Sequence, residues 1–175
     1  MKLFENIVGW FDSSVPTGNG DAISWTRILP FIGMHLAVLA VFWVGFSWFA
    51  FWVCISLYFV RMFAITAFYH RYFSHKNFQT SRFVQFIFAF LGASSAQRGP
   101  LWWASHHRVH HVTSDTESDP HSPKYKGFLW SHTLWFLSDK NFSTQHDRIK
   151  DFAEFPELRI LDRFDLLAPV ILAVG

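Results

Sequence analysis

Between Arg27 and Arg61 the chain runs for 33 residues, Ile28 to Val60, without one charged side chain. Drawn as a single helix, that run extends to about 50 Å, well beyond a hydrocarbon core of roughly 30 Å. Two spans of about 20 residues fit better, the second continuing through Arg61 to about Tyr69. Gly45, Phe46 and Ser47 are the expected turn, flanked by Trp43 and Trp48, whose indoles suit a membrane interface. One long tilted helix is the alternative. In the two-span reading Arg61 must snorkel, or face protein or water.

Two further apolar stretches follow. Phe83–Ala96 has 14 residues, too few to cross, and reads as re-entrant, interfacial or buried against protein. Leu166–Gly175 reads as the start of another membrane helix, so the sequence is expected to be the N-terminal part of a longer protein or of a truncated frame. Residues 1–26 carry Glu5, Asp12 and Asp21 and a turn-rich stretch from Ser13 to Gly20, unlike a signal peptide. Phe4, Ile7, Val8, Trp10 and Phe11 are suited to a short interfacial helix. The expected architecture is therefore all-α. A polar or interfacial segment, 1–26, precedes a helical membrane bundle, 27–175, with a transmembrane hairpin and a histidine-rich helical region.

Composition narrows the class. Charged residues make up only 16% of the chain against 51% hydrophobic, where a soluble domain carries about 25% charged. A disordered chain is excluded, and a net charge of +2 gives no electrostatic footprint for nucleic acid. Thirteen of the fifteen basic residues follow the apolar run, only Lys2 and Arg27 preceding it. A hairpin returns the chain to its starting side, so the positive-inside tendency puts both flanks in the cytoplasm. The lone Cys54 excludes an internal disulfide, a thiolate zinc finger and a Cys-ligated iron–sulfur cluster.

Ten histidines stand against that one cysteine, and six of them form two clusters. His70 and His75 directly follow the second span, and His106, His107, His110 and His111 follow the short apolar stretch. His107, His110 and His111 have the i, i+3, i+4 spacing of one helix face. His70 and His75 lie about 140° apart on a regular helix, so they can share one metal only if the helix ends or unwinds between them. No Asp or Glu occurs in the 93 residues from Ala22 to Ser114, which contain seven of the ten histidines. The Glu-x-x-His pattern of soluble di-iron bundles is therefore absent, and the site is expected to be all-nitrogen. Imidazole suits Zn, Cu, Fe and Ni alike. Simpler readings exist: head-group anchoring by a basic aromatic segment, or a haem between two facing histidines. Neither accounts for two clusters on one side of a membrane. His35, His132 and His146 read as ordinary interface residues.

An H-x4-H box after a membrane hairpin, followed about 30 residues later by H-x2-H-H, resembles the integral-membrane fatty acid desaturases. His70–His75 (HRYFSH) is similar to the HRxxSH box of the acyl-CoA branch, and His106–His111 (HHRVHH) to its HRxHH box. Gly99–Ala104 (GPLWWA) resembles the bacterial members, and Ser114–Thr116, Asp119–His121 and Gly127–His132 agree with the family text. The resemblance covers roughly residues 25–175. It implies a di-iron centre on the cytoplasmic side, molecular oxygen as co-substrate, and an electron donor of ferredoxin or cytochrome b5 type. The substrate it implies is a saturated fatty acyl thioester, acyl-CoA before acyl-lipid as the carrier, receiving a cis double bond at Δ9. His70, His75, His107 and His111 would hold one iron and His110 the other. Arg98, His106, Asp115, Asp119 and His121 would orient ligands or contact the substrate head group. The family's third box, HxxHH, is absent here, so this stretch alone is expected to be inactive. A histidine-box hydroxylase and an inactive relative are the alternatives.

Overall fold

The structure, a computed structural model, describes residues 9, 11–14, 18, 20–23 and 25–174. Phe4, Ile7, Val8 and Trp10 of the expected interfacial helix lie outside the described residues. Among the described residues every element is helical, apart from an isolated bridge between Ile23 and Ser138.

Helix α1 (Trp25–Ala37) passes through a 3-10 turn, Val38–Ala40, into the short α2 (Val41–Val44). The path breaks at Gly45, whose φ of +75° few other residues tolerate. Ser47 then caps α3 (Trp48–Phe63), its hydroxyl accepting the Ala50 N–H at 3.4 Å. The break falls where the sequence places it. From α3 the helix continues without interruption as a π-helix, Ala64–Ser74. Trp48–Ser74, 27 residues, is the one helix among the described residues long and apolar enough to cross a membrane. Phe49 (80% exposed) and Phe59 (66%) face outward where a soluble core helix would be buried. Arg61, its one charged residue before the histidine box, is half-buried against protein.

Helix α4 (Arg82–Ala93), capped by Ser81, spans about 18 Å at 1.5 Å per residue. One face buries Gln85, Ala89, Gly92 and Ala93 against the π-helical segment, while Phe83 (72%) and Ile87 (37%) are exposed. Phe68 stacks on Phe88 at 4.1 Å, and the Tyr69 hydroxyl donates to the Ala89 carbonyl at 3.0 Å. Gly92 is required by this approach, since a Cβ there would lie 2.2 Å from the buried Tyr69 ring.

Helix α5 (Pro100–Thr113) carries the second histidine cluster. Short elements follow: α6 (Pro123–Lys126), α7 (Asp139–Phe142), α8 (Lys150–Ala153), α9 (Pro156–Arg163) and α10 (Leu167–Val174). One core joins the π-helix, α4, α5, α8 and α9, with Phe68, Tyr69, Tyr72 and Phe73 packed on Ala89, Leu101, Ala104, Ile149, Phe152, Leu158 and Leu161. Both histidine-bearing segments thus lean on the same core.

Candidate metal centre

The π-helix decides how the first cluster is presented. A turn closed by an i→i+5 bond takes up about 4.4 residues, so residues five apart lie about 50° apart instead of about 140°. The His75 N–H donates to the His70 carbonyl at 3.2 Å, an i→i+5 bond, and the two rings face one point with Nε2 atoms 3.1 Å apart. The helix ends at Ser74, one residue before His75, as the spacing required, but it does not unwind on the way. It widens.

On α5 the regular spacing suffices. His107 and His111 stand one turn apart with Nε2 atoms separated by 2.9 Å. The two pairs interlock: the His70 and His107 rings are 4.7 Å apart, as are those of His75 and His111. One ligand nitrogen from each of His70, His75, His107 and His111 lies within 4.8 Å of all the others. Two nitrogens bound to one ion at about 2.1 Å and 90° apart would be about 3.0 Å from each other. The 2.9 and 3.1 Å separations therefore fit neighbouring positions around a single ion.

Charge fits as well. Burial, then the neighbouring imidazoles, push the His107 pKa down to about 3. His75 is lowered by burial, then by His70 and His111. Both rings are neutral near pH 7, the form that binds a cation.

A second group forms beside the first. His110, Asp119 and His121 place ligand atoms within 4.8 Å of one another, and the His110 and His111 rings are 5.9 Å apart. Asp119 is 1% exposed, and both of its oxygens lie 3.1 Å from His110 Nδ1. Burial alone would raise its pKa, yet hydrogen bonds from His110, the His121 N–H and the Asp115 N–H outweigh that and lower it. An ionised carboxylate only accepts, so His110 donates from Nδ1 and its Nε2 lone pair is free. The His121 ring stacks on His110 at 4.1 Å.

The other sequence candidates lie apart from both groups. His106 is 2% exposed, donates from Nδ1 to the Trp102 carbonyl at 2.9 Å and stacks on the Trp102 ring. Burial lowers its pKa to about 4. Arg98 pairs with Asp165 at 2.7 Å, donates to the Phe142 carbonyl at 2.9 Å and lies over the Phe142 ring. Asp115 is exposed, and its backbone N–H donates to Asp119 at 3.2 Å. His35, His132 and His146 are exposed and belong to neither group.

Three residues went unread in the sequence. Arg108, inside the second cluster, and Asp151 bond to each other and to the end of the first cluster. Asp162 on α9 accepts the Trp102 N–H of α5 at 2.6 Å. No local pattern announces such partners 43 and 60 residues away.

An apolar cavity of about 470 Å³ adjoins the site, lined among others by Phe31, Trp102, Trp103, Trp135, Phe136 and Phe142. Trp103 also stacks on His107 at 4.7 Å, so a single indole separates the cavity from the four-histidine group.

The chain is similar to known proteins over most of its length. The model of the fatty acid desaturase family matches residues 46–175. The sn-1 stearoyl-lipid 9-desaturase of Anabaena variabilis is 33% identical over 164 residues, 92% of this chain and 60% of that protein. The sn-2 palmitoyl-lipid 9-desaturase of Nostoc sp. (strain 36) is 34% identical over 90% of this chain and 56% of its own length. The acyl-CoA 5-desaturase AL21 of Anemone leveillei is 40% identical over 62% of this chain and 33% of its own. The chain thus spans about 60% or less of these relatives.

Proposed function

This chain belongs to the fatty acid desaturase family, and we propose that the protein carrying it introduces a cis double bond into a saturated fatty acyl chain, at Δ9, using two histidine-held irons. The observation that carries the reading is the convergence of His70, His75, His107 and His111 on one point, with His110 beside them. Bound iron would supply, with molecular oxygen and an external electron donor, the power to break unactivated C–H bonds that no side chain here can attack. His70, His75, His107 and His111 would hold one ion, and His110 would contribute Nε2 to the other. Asp119 fixes the tautomer of His110 by accepting its Nδ1 proton. Trp102, Trp103, Trp135 and Phe136 wall off an apolar cavity of ligand-site size, and Trp103 excludes water from the His107 face. The matched sequences that span 90% or more of the chain and are named 9-desaturases act on acyl-lipids, which favours a lipid-borne acyl group. The acyl-CoA carrier implied by the histidine-box text is the second reading, supported by AL21.

The test is product analysis. Membranes from cells expressing the whole protein, given oxygen, reduced ferredoxin and labelled 18:0 as lipid or as CoA ester, should yield 18:1 from one carrier. The carrier consumed decides between the two readings. Hydroxy-stearate as sole product would replace desaturation by hydroxylation, and no product from either carrier would make the protein an inactive relative.

The same reading has a topological consequence. Ile28–Val44, 17 residues, sits at the lower limit of a span and Trp48–Ser74 exceeds it. We expect both to cross, with the histidine face cytoplasmic. Reporter fusions after Gly20 and after Phe78 should both read cytoplasmic, and readings of opposite sign would overturn the hairpin.

A further inference from the structure

We propose that Arg108 is the positioning residue that fixes the first histidine box against the second, and so sets the geometry of the four-histidine group. The inference rests on the reading of that group as a metal site. A guanidinium has five N–H donors in a rigid planar fork, and here all five are engaged. Nε donates to the Ser74 carbonyl at 3.1 Å and Nη2 to the Phe73 carbonyl at 2.5 Å. Nη1 donates to the Arg148 carbonyl at 2.8 Å. The two remaining donors grip Asp151 in bidentate fashion, at 3.1 and 3.0 Å.

The acceptors give the fork its meaning. Phe73 and Ser74 are the last residues before His75, at the end of the π-helix, where carbonyls have no partner further along the helix. Arg108 itself sits on α5 between His107 and His110. One side chain therefore joins the backbone that presents His75 to the helix that presents His107 and His111. Asp151 holds the fork from the far side and also takes Lys76, at 2.5 Å. Lys76 is the residue after His75 and has a φ of +54°. The turn that ends the first box is thus anchored twice to one carboxylate. Arg108 is about 21% exposed and Asp151 about 27%, so this pair is largely shielded from water, with the more exposed Lys76 (57%) at its edge. A lysine at 108 has three donors on a single nitrogen and cannot span two carbonyls, a third carbonyl and a carboxylate together.

The test uses cobalt(II) as probe, whose visible absorption reports ligand number and geometry. The detergent-purified protein, stripped of metal, is titrated in a His110→Ala background, so that the four-histidine group is read alone. Arg108→Lys should bind cobalt at least about 10-fold more weakly, the scale expected when a group supporting a ligand is lost, with an altered absorption band and unchanged helix content by circular dichroism. Asp151→Asn, which leaves the three carbonyl contacts in place, should fall between the two. Equal affinity and an identical band in Arg108→Lys would overturn the clamp and leave the metal reading intact. No cobalt binding by the His110→Ala parent would overturn both. Should Arg108→Lys fail to fold, Asp151→Asn carries the test, and parental affinity in it would overturn the proposal.

Discussion

In the whole protein, replacing His107 with alanine is expected to abolish any desaturase turnover and to weaken metal binding by the four-histidine group at least about 100-fold. The estimate takes as its floor the 10–100-fold typical of losing a residue that only supports a ligand. His107 is the most connected imidazole of the group. Its Nε2 is 2.9 Å from that of His111, and its ring lies 4.7 Å from His70 and 5.4 Å from His75. Removing it takes away one of four donors and separates the remaining pair on the π-helix from the one left on α5. The helix itself should persist, because alanine is the best helix former and the core contacts of α5 come from Leu101 and Ala104. The expected signature is a folded protein with low iron content by elemental analysis. His35→Ala serves as control: that ring is exposed, packs on Phe31 and bonds the Phe31 carbonyl, and it belongs to neither histidine group. Wild-type iron content in His107→Ala would remove His107 from the ligand set.

The sequence made α5 readable because its chemistry is local. Three histidines at i, i+3 and i+4 share a face on any regular helix, and α5 is regular. The break at Gly45 was readable for the same reason: glycine and a capping serine stand between two apolar runs. The first box was readable only in part. Its five-residue spacing demanded some departure from a regular helix, but not which one, since a π-helix has no composition of its own. What selects it is the core, where Phe68, Tyr69, Tyr72 and Phe73 all have to reach α4, α5 and α8 from one segment. The 14-residue apolar stretch was legible by length, whereas its partners were not. Tyr72 donates to Gln85 inside the protein at 2.9 Å, a pair that reads in sequence as two unrelated polar residues. Arg108 hides for a related reason. Inside HHRVHH an arginine looks like part of a basic box, and only tertiary structure brings Phe73, Arg148 and Asp151 to its five donors.

Gly99→Ala is expected to lower the melting temperature by about 5–10 °C, and to impair metal binding although the residue touches no histidine. The backbone is not the reason, since Gly99 has a φ of −77°, which any residue adopts. The space is. A Cβ at Gly99 would lie 2.4 Å from the Asp162 Cα, 2.4 Å from its Oδ1 and 3.0 Å from its Cγ. Asp162 is 4% exposed and cannot swing aside, because its Oδ2 accepts the Thr144 hydroxyl at 2.6 Å. Its Oδ1 accepts the Trp102 N–H at 2.6 Å. That N–H is one of the donors left unpaired in the first turn of α5, so the carboxylate acts as a cap delivered from α9. Alanine at 99 must push α5 from α9 and break this contact together with the packing around it. Overpacking costs about 1–3 kcal/mol and a lost cap about 1 kcal/mol, and each kcal/mol lowers the melting temperature of a chain this size by roughly 2–4 °C. The displaced helix is the one that carries His107, His110 and His111, so the strain is delivered to the candidate metal centre. Thermal melts with parallel iron analysis check the expectation. A Gly99→Ala protein with unchanged melting temperature would show that α9 yields to the methyl group and that the Gly99–Asp162 contact does not hold α5 in place.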